Sequence, residues 1–183
     1  MNDDIAVLDI GCGDICLNEP NVLHADVDKK ASHLDVQCDG CHLPFTDNTF
    51  KVVYASHVLE HVENPFSLLA EIGRVSFDVA IVKVPNASHY RLFSEAPDHL
   101  YGWTSFNLEN LLRRHFPSVQ VYGSYRITPK GNILMRKLNT IKTYGLSLFV
   151  EKNELTAVCH KNPPNVKIRC NHVWKGMLER HTF

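Results

Sequence analysis

The stretch VLDIGCGD, residues 7–14, constrains this 183-residue chain more than any other. Apolar Val7, Leu8 and Ile10 lead through Asp9 into two glycines one residue apart, followed by a further acid. A short, nearly continuous apolar run of this kind reads as a strand buried on both faces. The glycines turn the chain sharply where the strand ends, and bare backbone there can take a ligand, because a Cβ at Gly11 or Gly13 is expected to intrude. In open α/β sheets that edge, at the carboxyl ends of the strands, is where ligands bind.

Further segments repeat the pattern. NVLHADV (21–27), KVVYAS (51–56) and FDVAIVKV (77–84) read as strands, the last ended by Pro85. A helix between the last two is signalled by Asn64 as cap, Pro65 in the first turn, and Leu68, Leu69 and Ile72 at helical spacing. Another begins near Ser105, with Leu108, Leu111, Leu112 and His115 as its inner stripe. Late strands are expected at SVQVYGSY (118–125) and LTAVCHK (155–161), with LSLFV (146–150) feeding the latter. Alternation of strands and helices predicts an α/β fold, Rossmann-like, with a mostly parallel sheet and helices on both faces. No repeat, low-complexity tract or linker divides the chain, so residues 1–183 are read as one domain.

Hydrophobic residues make up 44% of the chain and charged ones 21%, the balance of a soluble globular protein. No apolar run approaches the ~20 residues that span a bilayer. Six cysteines beside an acidic N-terminus that lacks a leader pattern point to reduced thiols and a cytoplasmic setting. The net charge of −1 conceals an asymmetry. Residues 1–63 carry twelve acids against Lys29, Lys30 and Lys51, whereas residues 110–150 carry no acid and seven bases (Arg113, Arg114, Arg126, Lys130, Arg136, Lys137, Lys142). The first half suits a cationic ligand and the later segment an anionic partner, either a small anionic substrate or nucleic acid. Charge alone supports the nucleic-acid reading, since no RNA-binding motif accompanies it.

VLDIGCGD, then HADVD (24–28), then the long run DGCHLPFTDNTFKVVYASHVLEHVENPFSLLAEIGRV (39–75) resemble the class I S-adenosylmethionine-dependent methyltransferases, in the type 11 branch. The resemblance covers residues 5–85 well and continues loosely through HLYGWTSFNLENLLRRHF (99–116), while residues 126–183 match no family pattern. It implies an S-adenosylmethionine cofactor and methyl transfer, the alternative being a non-catalytic binding or activating subunit of the same fold. By resemblance Asp9, Gly11, Cys12 and Gly13 fall on the loop at the methionine end of the cofactor. Asp26 falls on the acid that takes the ribose hydroxyls, with Asp28 as a rival, and Asp39, Gly40 and Cys41 lie beside the adenine. Ser56 and His57 follow the strand that closes the pocket, and His57 is the candidate base or substrate-orienting group. His61, His89, Tyr90, His99 and Tyr101 are candidates for the substrate pocket. The chemistry agrees, since ribose hydroxyls and an exocyclic amine donate while carboxylates accept.

This chain departs from the family in two respects. Ile15 stands where a third glycine is usual. Only eight residues separate Gly13 from Val22, and twelve separate Asp26 from Asp39, too few for ordinary crossover helices. The first two crossover helices are therefore expected to be reduced or missing. Part of one sheet face would then need cover, from residues 126–183 or, the favoured solution, from a second copy in a homodimer. His57 and His61 have metal-ligand spacing, as do the cysteines of CDGC (38–41) and the Cys/His pairs at 159–160 and 170–172. The family uses the first run as a pocket wall and the second as the adenine turn, so no metal is assigned.

Overall fold

In the computed structural model of the chain, residues 6–14, 16–87, 97–125 and 152–162 are described. Ile15, His89, Tyr90, the LSLFV segment, and the Cys/His pair at 170–172 lie outside them. Among the described residues seven strands form one sheet: β1 (Val7–Ile10), β2 (Val22–Asp26), β3 (Val36–Gln37), β4 (Phe50–Ser56), β5 (Ser76–Pro85), β6 (Ser118–Tyr125) and β7 (Lys152–His160). Their spatial order is β3-β2-β1-β4-β5-β7-β6. The first five are parallel to their neighbours, and β7 runs antiparallel between β5 and β6. The carboxyl ends of β3, β2, β1 and β4 therefore line one edge side by side.

Two helices are described, α1 (Pro65–Val75) and α2 (Ser105–Leu112). The caps expected from sequence form. Asn64 Oδ1 accepts the Ser67 N–H at 3.1 Å and Pro65 opens α1. Thr104 and Asn107 close a reciprocal capping box at α2, each side chain accepting from the other's backbone. At the far end of α1, Arg74 donates to Glu71, Asp47 and the carbonyls of Leu43 and Phe45, fastening the approach to β4.

No helix is described between β1 and β2 or between β2 and β3, as the short connections require. Both described helices bury their stripes in the same cluster: Leu68, Leu69, Ile72 and Val75 with Leu108, Leu111 and Leu112, against Leu8, Ile10, Val53, Ala55, Val82 and Val84. The pleat sends the alternate residues Val7, Val52, Tyr54, Val79 and Ile81 into a second, smaller cluster, where Leu17 from the β1–β2 connection joins them. These positions are nonetheless buried within the single chain, Ile81 completely and Tyr54 to 1% exposure. The bare face that motivated a homodimer is thus not found among the described residues. Light scattering at micromolar concentration should return the mass of one chain. A stable dimer mass would instead show that this burial is incomplete in solution.

Candidate functional site

The edge formed by β3, β2, β1 and β4 brings together most of the residues singled out from sequence. After β1 the chain turns through Gly11 (φ +66°) and Gly13 (φ +51°), both in left-handed backbone. A Cβ at Gly11 would lie 2.3 Å from Val58 Cγ2, so close approach of the segment after β4 by itself requires the glycine. At Gly13 nothing lies within 4 Å of a built Cβ, so its bare backbone faces open space.

Asp9 is buried in β1, and its Oδ2 accepts the Leu17 N–H at 2.9 Å and faces His24 Nδ1 at 3.3 Å. Burial raises its pKa above the ordinary carboxylate value despite those partners. Its carboxylate holds the β1–β2 connection in place from within. Asp26 behaves differently: Oδ2 accepts the Gly13 N–H at 2.9 Å, and Oδ1 accepts the Asp28 N–H at 2.8 Å. One half-buried carboxylate thereby fixes the glycine turn and the chain leaving β2, and each oxygen retains a second lone pair. Asp28 is exposed and caps a local turn through the Lys30 N–H at 2.9 Å.

Beyond β3, Asp39 accepts the Cys41 N–H at 2.8 Å and faces His42 Nδ1 at 3.1 Å, which hold its pKa below the usual range. Gly40 is tight against the core: a Cβ would meet Leu68 Cδ1 at 2.9 Å. The thiols of Cys12, Cys38 and Cys41 are all pushed up by burial, Cys12 to about 12, which keeps them protonated and unreactive.

The end of β4 holds what sequence reasoning missed. Ser56 closes the strand and His57 follows with φ +56°. His57 Nε2 lies 2.8 Å from Glu154 Oε1 and Nδ1 lies 3.2 Å from Glu60 Oε1. Glu154 Oε2 also meets the ammonium of Lys83, itself 1% exposed, at 3.2 Å. Hydrogen bonds to Glu154 and then Glu60 raise the His57 pKa from 6.5 to about 9. Paired in this way, the imidazole is favoured in its charged form at neutral pH. No local pattern announces this, because Glu154 is 97 residues away in sequence. Of the remaining pocket candidates, His61 and His99 pack edge to face at 4.8 Å between ring centroids. The Tyr101 hydroxyl is committed to the Glu63 carbonyl at 2.9 Å, and its ring stacks on Trp103. Of the seven late bases, Arg113 is paired with Glu109 at 2.7 Å, and the five from Arg126 to Lys142 lie outside the described residues.

This architecture can be set beside known proteins. Residues 8–77 match the Methyltransf_11 family model, described as a methyltransferase domain. The fold is that of the Rossmann-like methyltransferases. No curated protein matches the sequence. Among solved structures, an S-adenosylmethionine-dependent methyltransferase from Archaeoglobus fulgidus is similar at 20% identity and a TM-score of 0.62, over 85% of this chain and 86% of that one. One from Thermotoga maritima gives 13% identity and 0.62, over 86% and 82%. Phosphoethanolamine N-methyltransferase 2 of Haemonchus contortus, in complex with S-adenosyl-L-methionine, gives 16% and 0.58 over 88% of this chain and 49% of its own. At these identities the likeness is one of fold. The matched part runs from β1 through α1 and contains every strand end described above except those of β5 to β7.

The charge state of His57 has a measurable consequence for stability. Because the folded-state pKa is raised, the stabilisation is complete below about pH 6.5 and is lost as pH rises through about 9. Urea midpoints in chelator-containing buffer should fall across that window, and Glu154→Gln should flatten the fall. A wild-type midpoint that is level from pH 6.5 to 9 would contradict the assignment.

Proposed function

We propose that the chain is an S-adenosylmethionine-dependent methyltransferase that holds its cofactor along the carboxyl edge of β3, β2, β1 and β4. The observation that carries this reading is Asp26, which orders the Gly13 turn and the end of β2 while keeping acceptor capacity on both oxygens. The residues present fit the cofactor: open space over Gly13, a carboxylate at the end of β2, and a second one in the turn after β3. In this reading Asp26 accepts from the ribose hydroxyls, and the turn at residues 39–41 lies beside the adenine. The cofactor supplies a methyl group on a sulfonium, a good leaving group for in-line displacement. The chain's own task is chiefly binding and alignment. His57, charged and held between Glu60 and Glu154, fixes the segment after β4 rather than removing a proton. The methyl acceptor is then one that reaches the site already nucleophilic, and a small molecule is the class supported by the named substrate of the Haemonchus protein.

Calorimetry with S-adenosylhomocysteine tests the reading. Asp26→Ala should weaken binding by about 1.5–3 kcal/mol, the range for lost hydrogen bonds to a charged group. Asp28→Ala should matter less, since its carboxylate serves a local turn. The reverse order would move the ribose acid two residues along, and absence of binding by folded wild-type chain would defeat the proposal. Binding without turnover over a panel of small amine, hydroxyl and thiol acceptors would favour the non-catalytic subunit instead.

A further inference from the structure

Glu60 is completely buried, and its Oε2 meets no hydrogen-bond partner, while Oε1 faces His57. A carboxylate oxygen shut away from water without a partner is costly, and native folds rarely leave one so. Two imidazoles stand beside it. One ligand atom each from Glu60, His61 and His99 can be chosen so that all three lie within 4.8 Å of one another. We propose that Glu60, His61 and His99 bind a divalent cation of the zinc class, with the fourth position left to water or another donor.

The chemistry of the set fits that cation. Two imidazoles and one carboxylate are borderline donors that suit Zn2+, Co2+ and Ni2+ better than Mg2+ or Ca2+, and three protein ligands with an open position is a recurrent zinc arrangement. Ligands at about 2.0–2.2 Å from a tetrahedral ion are closer together than these atoms are, so the ion must draw them inward by side-chain rotation. His61 is exposed and His99 half-buried, so both have room to turn. The supporting groups are in place. Asp98 Oδ2 lies 3.2 Å from His61 Nδ1, and the Asp98 carbonyl lies 3.3 Å from the same nitrogen. That holds one side of the ring and leaves Nε2 for the ion, the usual carboxylate–histidine–metal relation. The Glu60 carbonyl accepts the Leu100 N–H at 2.8 Å and the Tyr101 N–H at 3.2 Å, so the backbone around His99 is pinned to the residue that supplies the carboxylate. The spacing visible in sequence paired His61 with His57. The fold replaces His57 by His99, because His57 is engaged by Glu154.

The test uses the full chain, stripped with chelator and titrated with Co2+. One equivalent should bind, give the visible absorption of a four- or five-coordinate site, and be displaced by Zn2+. His61→Ala and His99→Ala change accessible side chains and should each weaken binding more than ten-fold with the far-ultraviolet spectrum unchanged. Asp98→Asn should weaken it about ten-fold, as expected of a ligand-orienting partner. Failure of the folded wild-type chain to bind would overturn the proposal. So would affinity unchanged in both histidine variants, or intense thiolate-to-cobalt absorption that places the ion on Cys38 and Cys41. Because the readout is metal binding alone, it is independent of whether the chain binds S-adenosylmethionine.

Discussion

A chain of alternating charges runs along the carboxyl edge of the sheet: Lys83 to Glu154 at 3.2 Å, Glu154 to His57 at 2.8 Å, and His57 to Glu60 at 3.2 Å. It joins β5, β7, the end of β4 and the start of the next loop. Lys83 and Glu60 are buried, and removing one partner of a buried ion pair typically costs about 3–5 kcal/mol. The chain therefore fixes where β4 ends. That in turn places Val58 against Gly11, because the glycine turn closes on the Val58 side chain. The cofactor edge thus rests on an electrostatic arrangement made partly by β7, the strand furthest along the sequence.

The N-terminal half was legible because its signals are local. Apolar runs gave β1, β2, β4 and β5, and Asn64 with Pro65 gave the start of α1. The two short connections correctly implied missing crossover helices. β3 was not visible, since Val36–Gln37 is two residues, half-buried at best, and exists only by pairing with β2. The site was partly legible for the same reason. Asp26 could be picked out as the last residue of an apolar strand, but its hold on Gly13 spans 13 residues and leaves no mark in the pattern. The close approach of Val58 to Gly11 likewise lies 47 residues along the chain and leaves no local mark. His57 stood out as a candidate base or substrate-orienting group, but its contact with a carboxylate 97 residues away leaves no mark in the local pattern.

Two kinds of acid share this edge. Asp9 and Glu60 face inward, one holding a loop and the other the exposed imidazole of His57. Asp26 and Asp39 order turns through backbone N–H groups and keep acceptor capacity directed to the edge. Sequence singles out Asp9, Asp26 and Asp39 alike and passes over Glu60, and burial separates them. The excess of acids in residues 1–63 is thus only partly a field for a cationic ligand, because some of it is spent on holding the sheet's connections together.

The central claim is that one edge, spanning four parallel strands, holds S-adenosylmethionine. Amide chemical-shift mapping during titration with S-adenosylhomocysteine tests it most directly. The account predicts that the largest shifts cluster at residues 11–13, 26–28, 39–41 and 56–57, with β6 and the outer end of α2 unmoved. Saturable shifts centred on α2 and β6, or none at any of the four strand ends, would contradict it.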